Sequence, residues 1–115
     1  MFLIFDTETT GLPKRWNAPV SDSNNWPRCV QLAWQLHDET GKCLEHKNYL
    51  IKPNGFEIPF AAEKVHGIST ELAQKKGTEL KEVLDNFKNI LSNTKYLCGH
   101  NIVFDINILS SEYYR

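Results

Sequence analysis

Three acidic side chains are the residues of this sequence best suited to chemistry, and two of them lie close together near its start. Asp6 and Glu8 follow the apolar run Phe2–Phe5, and residues two apart on a strand point to the same face of a sheet. They share that face with Ile4, which we expect to point into the core. Two carboxylates about 4 Å apart repel by roughly 4 kcal/mol at an effective dielectric constant of about 20, so a proton, an arginine or a divalent cation must offset the repulsion. The alternative is that the strand ends at Phe5 and leaves both acids solvated in a turn.

The third acid, Asp105, lies in the last predicted helix. An apolar stripe with helical spacing runs along this helix and consists of Ile102, Ile106, Leu109 and Tyr113. Asp105 lies at the edge of the stripe, so we expect it to point back toward the sheet. An isolated Asp in a first turn is more often a surface residue stabilised by the helix dipole. Three acids directed at one edge of a sheet instead indicate a site for a hard cation with oxygen ligands, Mg²⁺ or Mn²⁺.

The strands that must position Asp6 and Glu8 follow from the hydrophobic pattern. Residues 2–8 predict a strand buried inside a sheet, and residues 29–37 alternate apolar and polar side chains as a second strand does. A weaker alternation predicts a third strand over residues 43–51, after a hairpin turn at residues 38–41. Residues 13–28 contain three of the five prolines and predict a long loop of functional importance.

Helices dominate the second half of the sequence. After Thr78, apolar residues recur with the clearest helical period of the chain, at Leu80, Val83, Leu84, Phe87, Ile90 and Leu91. We predict Ser69 and Thr78 as helix N-caps, a short strand over residues 96–98, and a final helix from about residue 102. A three-strand meander followed by helix, strand and helix predicts an α/β domain with a mixed sheet.

Composition limits the classes of function. The chain has 115 residues, of which 41% are hydrophobic, and 13 Lys and Arg against 14 Asp and Glu give a net charge of −1. We therefore expect one globular domain, and not a basic protein that holds nucleic acid by Lys and Arg alone. The apolar start is too short for a signal peptide or a membrane span. Three cysteines with no C-x-x-C pair predict free thiols and a cytoplasmic protein.

Three segments resemble motifs of one enzyme family. Asp6–Gly11 (DTETTG) resembles the first motif of the DEDD-type 3′–5′ exonucleases, and His100–Asp105 (HNIVFD) resembles their second motif. Val65–Ser69 (VHGIS) matches a stretch typical of the histidine-containing branch, which includes the DNA polymerase III epsilon subunits and ribonuclease T. The resemblance spans nearly the whole chain and implies a ribonuclease H-like fold.

The resemblance also implies a catalytic chemistry for the three acids. Asp6 and Glu8 would ligate two divalent metal ions, Mg²⁺ or Mn²⁺, with Asp6 bridging them and Asp105 completing part of the shell. Two such ions activate a water and stabilise the leaving oxygen in an in-line attack on a phosphodiester. The implied reaction removes nucleoside 5′-monophosphates from the 3′ ends of single-stranded DNA or RNA.

The matching positions imply substrate contacts as well. Thr9 and Thr10 would donate to the terminal nucleotide, and Gly11 would allow the chain to turn closely beside it. His66 and Phe104 would flank the terminal sugar and base, because flat side chains stack on any base. The alternative for His66 is a residue that caps a loop.

The sequence indicates the roles of three further aromatic side chains less specifically. Trp16 and Trp26 in the long loop are candidates for stacking on nucleic acid, but we expect both to be buried against the domain. His100 is expected to be structural, because the matching position has no role in proton transfer.

One part of the family pattern is missing from this sequence. The family also uses a fourth acid and a histidine base, spaced H-x-x-x-x-D on a helix after one more strand, and no such pair exists here. We therefore expect a truncated domain that lacks the C-terminal strand and helix, either a fragment of a longer enzyme or a gene product that stops here. The expected consequences are a poorly held second ion, weak or no activity, and self-association through the uncovered edge. A DNA polymerase or another replication or repair protein is the expected partner.

Two other functions remain open from the sequence. The first is a catalytically inactive nucleic-acid-binding or interaction module of the same fold. The second is a metal-dependent phosphatase or phosphodiesterase that uses the same acids on small nucleotides.

Overall fold

The computed structural model describes residues 1–115, which form a four-stranded mixed sheet with four helices. The strands are β1 (Phe2–Thr9), β2 (Cys29–His37), β3 (Cys43–Leu50) and β4 (Tyr96–Cys98). The helices are α1 (Phe60–His66), α2 (Thr70–Lys76), α3 (Leu80–Leu91) and α4 (Ile102–Tyr114). The strand order is β3-β2-β1-β4, with β2 antiparallel to both β1 and β3 and β4 parallel to β1. The predicted meander, short strand and two long helices are confirmed.

The first hairpin has the predicted turn. The Asp38 carboxylate accepts bonds from the backbone N–H of Thr40 and of Lys42, which closes the turn between β2 and β3. The Thr40 hydroxyl also donates to Asp38; this bond contributes most to lowering the pKa of Asp38, and the backbone bonds add to it. Beyond β3, Ile51 forms a parallel bridge with Thr78.

Only one face of β1 is covered. Leu3, Phe5 and Thr7 are buried beneath α3 and α4, whereas Ile4 is 44% exposed on the opposite face. The prediction that Ile4 points into the core is therefore wrong, because Ile4 lies opposite the buried Leu3 and Phe5 and belongs to neither apolar cluster of the chain. We call the face that carries Ile4, Asp6 and Glu8 the open face.

The main core lies between the sheet and the helices α3 and α4. Phe87 of α3 packs its ring 5.3 Å from the ring of Phe5 and 5.5 Å from that of Trp34. The whole cluster comprises Leu3, Phe5, Trp26, Cys29, Leu32, Trp34, Leu36, Ile51, Val83, Leu84, Phe87, Ile108 and Leu109. It holds α4 against the end of β1 where the acidic residues lie.

A second, smaller core sits at that same end of the sheet. Glu8 pairs with Gln31 and Thr9 with Cys29, so that Val30 is an extra residue at a bulge in β2. Val30 packs instead against the short helices α1 and α2, in a cluster with Ile58, Ala62, Ile68 and Ala73. This cluster brings the end of α1 next to β1.

The two predicted N-caps have different outcomes. The Ser69 hydroxyl accepts from the N–H of Leu72, so Ser69 caps α2 as predicted. Thr78 does not cap α3, whose N-cap is Glu79. The backbone of Thr78 instead donates to Leu50 and accepts from Lys52, so that pairing with the end of β3 replaces the cap.

Candidate active site

Asp105 points toward the sheet, as its position in α4 predicts. It is only 2% exposed, and its Oδ1 accepts a hydrogen bond of 2.5 Å from the Thr7 hydroxyl. Burial raises the pKa of the Asp105 carboxyl, the Thr7 hydrogen bond lowers it, and the negative charges of Asp6 and Glu8 raise it again. A buried acid with a raised pKa close to two others indicates a functional site.

The apolar stripe predicted beside Asp105 is not the buried face of α4. The buried face carries Asp105, Ile108, Leu109 and Glu112, whereas Ile106 faces solvent in part. The helix is rotated in this way because both acids have polar partners on the inner side.

Asp6 and Glu8 lie on the open face, at the end of β1. Thr7 stands between them in the chain and points to the opposite face, toward Asp105. Asp105 feels the charge of both acids, but no three His, Cys, Asp or Glu side chains lie close enough to hold a metal ion together. The structure therefore brings the three predicted acids into electrostatic range and not into one coordination sphere.

The donor set itself fits a hard divalent ion. All three side chains offer carboxylate oxygens, which are the ligands that Mg²⁺ and Mn²⁺ prefer. The repulsion that raises the pKa of Asp105 is also the kind of interaction that a cation relieves.

A cavity of about 320 Å³ opens beside Glu8. Its walls are Thr7, Glu8, Thr9, Gly11, Leu12, Ala62, Val65, His66 and Phe104. Four of the five residues predicted to bind substrate line this cavity, and they come from β1, the turn that follows it, α1 and α4. Thr10 does not line it, because its hydroxyl accepts from the N–H of Arg28 at 3.0 Å and its side chain borders a neighbouring cleft.

His66 makes the contacts of a residue that caps a loop. Its Nδ1 accepts from the N–H of Ile68, so the proton is on Nε2, which donates to the carbonyl of Thr9; both bonds are 3.1 Å long. These bonds occupy both nitrogens and leave the face of the ring as the part available to a ligand. They also fix α1 to the end of β1.

The turn after β1 uses the Thr9 hydroxyl internally. Thr9 Oγ1 donates to the carbonyl of Gly11 at 2.7 Å and accepts from its N–H at 3.2 Å. The side chain of Thr9 therefore shapes the cavity wall, and its role as a donor to substrate remains a prediction.

A buried ion cluster that the sequence analysis missed fixes α4. The Glu112 carboxylate, whose side chain is fully buried, accepts from Arg28 Nε at 3.0 Å and Arg115 Nη1 at 2.6 Å. It also accepts from the backbone N–H of Cys29 at 3.1 Å. The available signal was spacing, because Glu112 lies seven residues after Asp105 and so on the same helix face.

Gly99 also positions Asp105, and no sequence motif indicates this role. A Cβ atom at Gly99 would stand 2.8 Å from the carbonyl oxygen of Phe5. The glycine therefore lets the segment between β4 and α4 pass close to β1. Asn101, at the N-cap of α4, has φ of 51°, so this connection is a sharp turn.

The two loop tryptophans differ in their surroundings. Trp26 is buried as predicted, and its indole N–H donates to the carbonyl of Pro19. The prediction that Trp16 is buried is wrong, because it lies on the surface with its ring centroid 5.5 Å from that of Phe104.

Comparison with known protein families identifies the fold and its relatives. The RNase_T family model, described as Exonuclease, matches residues 3–115. The chain belongs to the exonuclease family. This membership confirms the resemblance of the three motifs.

This exonuclease-family chain is also similar to DNA polymerase III epsilon subunits. It is 32% identical over 112 residues to the Rickettsia conorii protein and 33% identical over 113 residues to the Rickettsia prowazekii protein. Each alignment covers 96% of this chain and 43% of the relative. The chain thus spans about two fifths of the length of these relatives.

Solved structures of exonuclease I share the fold. The structure of E. coli exonuclease I in complex with a dT13 oligonucleotide superposes with a TM-score of 0.74 at 22% identity, over 94% of this chain and 22% of that one. Exonuclease I from Methylocaldum szegediense gives the same TM-score and identity, over 93% of this chain and 22% of that one. The predicted ribonuclease H-like fold is therefore confirmed.

No helix combines the length and the apolar character needed to cross a membrane.

Proposed function

We propose that residues 1–115 form an exonuclease domain that removes nucleotides from the 3′ ends of single-stranded DNA or RNA. The observation that carries this proposal is the position of Glu8. Its negative charge acts on Asp105, and its side chain also lines the cavity of about 320 Å³. A nucleotide held in that cavity has its phosphate close to the acids. Membership of the exonuclease family supports the same reaction class.

Divalent metal ions are part of the proposal. Asp6 and Glu8 would hold them from the open face, and Asp105, which the structure keeps outside their coordination sphere, would contribute its negative charge from the inner face. Such ions, when bound, lower the pKa of a bound water and stabilise negative charge on the leaving oxygen. Asp6 is exposed and free to bind from solvent, whereas Asp105 is already oriented by the Thr7 hydroxyl.

The cavity walls suit the end of a single strand. The faces of His66 and Phe104 offer stacking surfaces, and stacking tolerates any base because every base has an aromatic face. With a net charge of −1, the chain has no general excess of Lys and Arg for phosphate binding. We therefore infer that contact with the reacting phosphate depends on the metal ions.

Shortening of a labelled strand tests this function. A single-stranded oligonucleotide labelled at its 5′ end should lose one nucleotide at a time in Mg²⁺ or Mn²⁺, slowly because the sequence lacks the H-x-x-x-x-D pair, and EDTA should stop the reaction. Replacing Asp6 by Asn should lower the rate at least about 100-fold, because it removes a ligand of the catalytic ions. The matched control is Asp85→Asn, which alters an exposed acid on α3 and should leave the rate unchanged.

Two results would contradict the exonuclease function. Internal cuts would indicate an endonuclease, and release of inorganic phosphate alone from small nucleotides would indicate a phosphatase. Either outcome with an intact Asp6 would remove the 3′-end assignment.

A second candidate is a nucleic-acid-binding module without catalysis. The separation of Asp105 from a common coordination sphere with Asp6 and Glu8 favours it. Such a module binds single strands without shortening them, and Asp6→Asn would leave its affinity nearly unchanged.

A DNA polymerase is the proposed partner. The epsilon relatives are named as subunits of DNA polymerase III, and we propose that this protein acts beside a polymerase in the same way. Purification of the polymerase from the source cells should then recover this protein in fixed proportion.

A further inference from the structure

Trp16 is the exception among the three tryptophans of this chain. Its side chain is 55% exposed, whereas Trp26 and Trp34 are each 2% exposed. Its ring centroid lies 5.5 Å from that of Phe104, at an angle of 50° between the ring planes. Phe104 lines the cavity beside Glu8, so Trp16 lies next to the wall of the proposed active site.

The backbone that carries Trp16 is fixed to the domain. Asn25, which is buried, accepts from the N–H of Arg15 at 2.7 Å and donates to its carbonyl at 2.9 Å. The N–H of Lys14 donates to the carbonyl of Asn25 at 3.3 Å. Asn25 thus binds both residues before Trp16, Arg15 through its side-chain amide and Lys14 through its backbone carbonyl. The exposed indole is therefore carried by an ordered segment.

Two cations precede the exposed ring. Lys14 and Arg15 are both exposed, and Arg15 lies 3.6 Å from the Asp22 carboxylate while Lys14 makes no ion pair. An exposed aromatic ring next to cations is the combination that single-stranded nucleic acid binds, the ring stacking on bases and the cations meeting phosphates. The polar flanks argue against an apolar protein partner.

We propose that Trp16 stacks on the base that precedes the terminal nucleotide of the substrate strand, with Lys14 and Arg15 near its phosphates. This inference rests on the proposed function, because it assumes that the terminal nucleotide occupies the cavity lined by Phe104. Trp16 is then a positioning residue that acts on strands of two or more nucleotides and not on a free mononucleotide.

The test compares binding of a strand with binding of a mononucleotide. The ligands are an oligothymidylate of about eight nucleotides and thymidine 5′-monophosphate, in Ca²⁺ buffer, with the strand checked for intact length afterwards. Fluorescence anisotropy of a labelled strand measures its affinity, competition against that strand measures the affinity of the mononucleotide, and tryptophan emission reports contact with the indole. The variants are Trp16→Ala and Trp16→Phe, and the control is Tyr114→Ala, which removes an exposed aromatic ring at the far end of α4.

The expected results separate stacking from other roles. Trp16→Ala should weaken strand binding by about 5- to 100-fold, which corresponds to loss of one stacked base, and should leave the mononucleotide affinity unchanged. Trp16→Phe keeps a flat ring and should recover most of the affinity. The strand should quench the emission of the wild-type protein, and Tyr114→Ala should bind like wild type.

Each contrary result has a distinct meaning. If the wild-type protein binds and shortens strands but Trp16→Ala binds them equally well, the stacking role is wrong and the proposed function stands. Equal weakening of strand and mononucleotide also overturns it, because Trp16 would then support the cavity only. If the wild-type protein binds no strand, both proposals fail. Where Trp16→Ala does not fold, the affinity of Trp16→Phe and the emission change decide.

Discussion

At the scale of single residues, Asp105 is the acid whose protonation the fold controls most directly. Burial and the charges of Asp6 and Glu8 raise its pKa, while the Thr7 hydroxyl opposes that rise. A carboxyl whose pKa is higher in the folded than in the unfolded chain binds more protons when folded. The folded state is therefore destabilised as the pH rises from the unfolded pKa, about 3.9, through the raised folded pKa.

The substitution Asp105→Asn tests this linkage in the metal-free protein. Asn retains an oxygen that accepts from Thr7 but carries no charge, so its stability should not show the loss. In EDTA, urea unfolding should show the stability of the variant rising relative to wild type as the pH increases through that window, by about 1.4 kcal/mol for each tenfold difference in proton affinity between the folded and unfolded chains. Asp85→Asn should show no such gain. A difference that does not change with pH would contradict the raised pKa.

Single residues are also where the sequence predicts least. Trp16 and Trp26 lie in the same loop, and their burial depends on contacts that the sequence does not show. Asn25 binds the backbone next to Trp16, whereas the indole of Trp26 donates to the carbonyl of Pro19. Only its spacing from Asp105 separates Glu112 from a solvated acid on a helix, because its partner Arg28 is 84 residues away. The catalytic candidates Asp6 and Glu8 are easier to predict than Glu112, because both lie in a short motif that directly follows an apolar strand.

At the scale of elements, the ion cluster at Glu112 determines how α4 sits on the sheet. Arg28 and Arg115 surround a carboxylate that is shielded from water, and Arg28 precedes β2 directly. Removing one member of a buried ion cluster leaves the other charges without compensation.

Glu112→Gln should therefore destabilise the fold by about 3 kcal/mol, near the lower end of the usual cost of breaking a buried pair. The proposed nuclease activity should fall in parallel, because Asp105 lies two turns earlier on the same face of α4. Thermal unfolding followed by circular dichroism measures the first effect. Glu82→Gln, an exposed acid on α3, is the matched control and should change stability by less than about 0.5 kcal/mol. Equal stability of wild type and Glu112→Gln would show that the cluster does not hold α4.

The elements themselves follow well from the sequence. β2 and α3 have strong periods of two and 3.6 residues, and each lies within the range that its period predicts. The sequence of β1 is apolar on both sides and does not indicate which face is covered. The predicted direction of the Ile4 side chain was wrong for this reason. The short helix α1 has too few turns for a clear period, so its sequence predicts no helix there.

At the scale of the whole molecule, part of the open face has no role in the proposed reaction. Besides the two acids, it carries apolar side chains that water contacts directly. Ile4 is partly exposed there, and the ring of Phe2 stacks on that of Tyr96 with centroids 5.1 Å apart. An apolar surface of this kind on a sheet favours burial against another protein surface.

Self-association of this chain through the open face is therefore the last prediction. Light scattering should show a mass that rises with protein concentration, because a second copy covers the exposed apolar side chains. Ile4→Lys should weaken the association by at least about tenfold, since it places a charge in the interface at a cost of roughly 1.4 kcal/mol or more. Leu72→Lys adds the same charge on α2, at an exposed residue that is not part of the open face of β1, and should leave the association unchanged. A clean monomer at high concentration would exclude the dimer and would leave the open face to the substrate or to another protein.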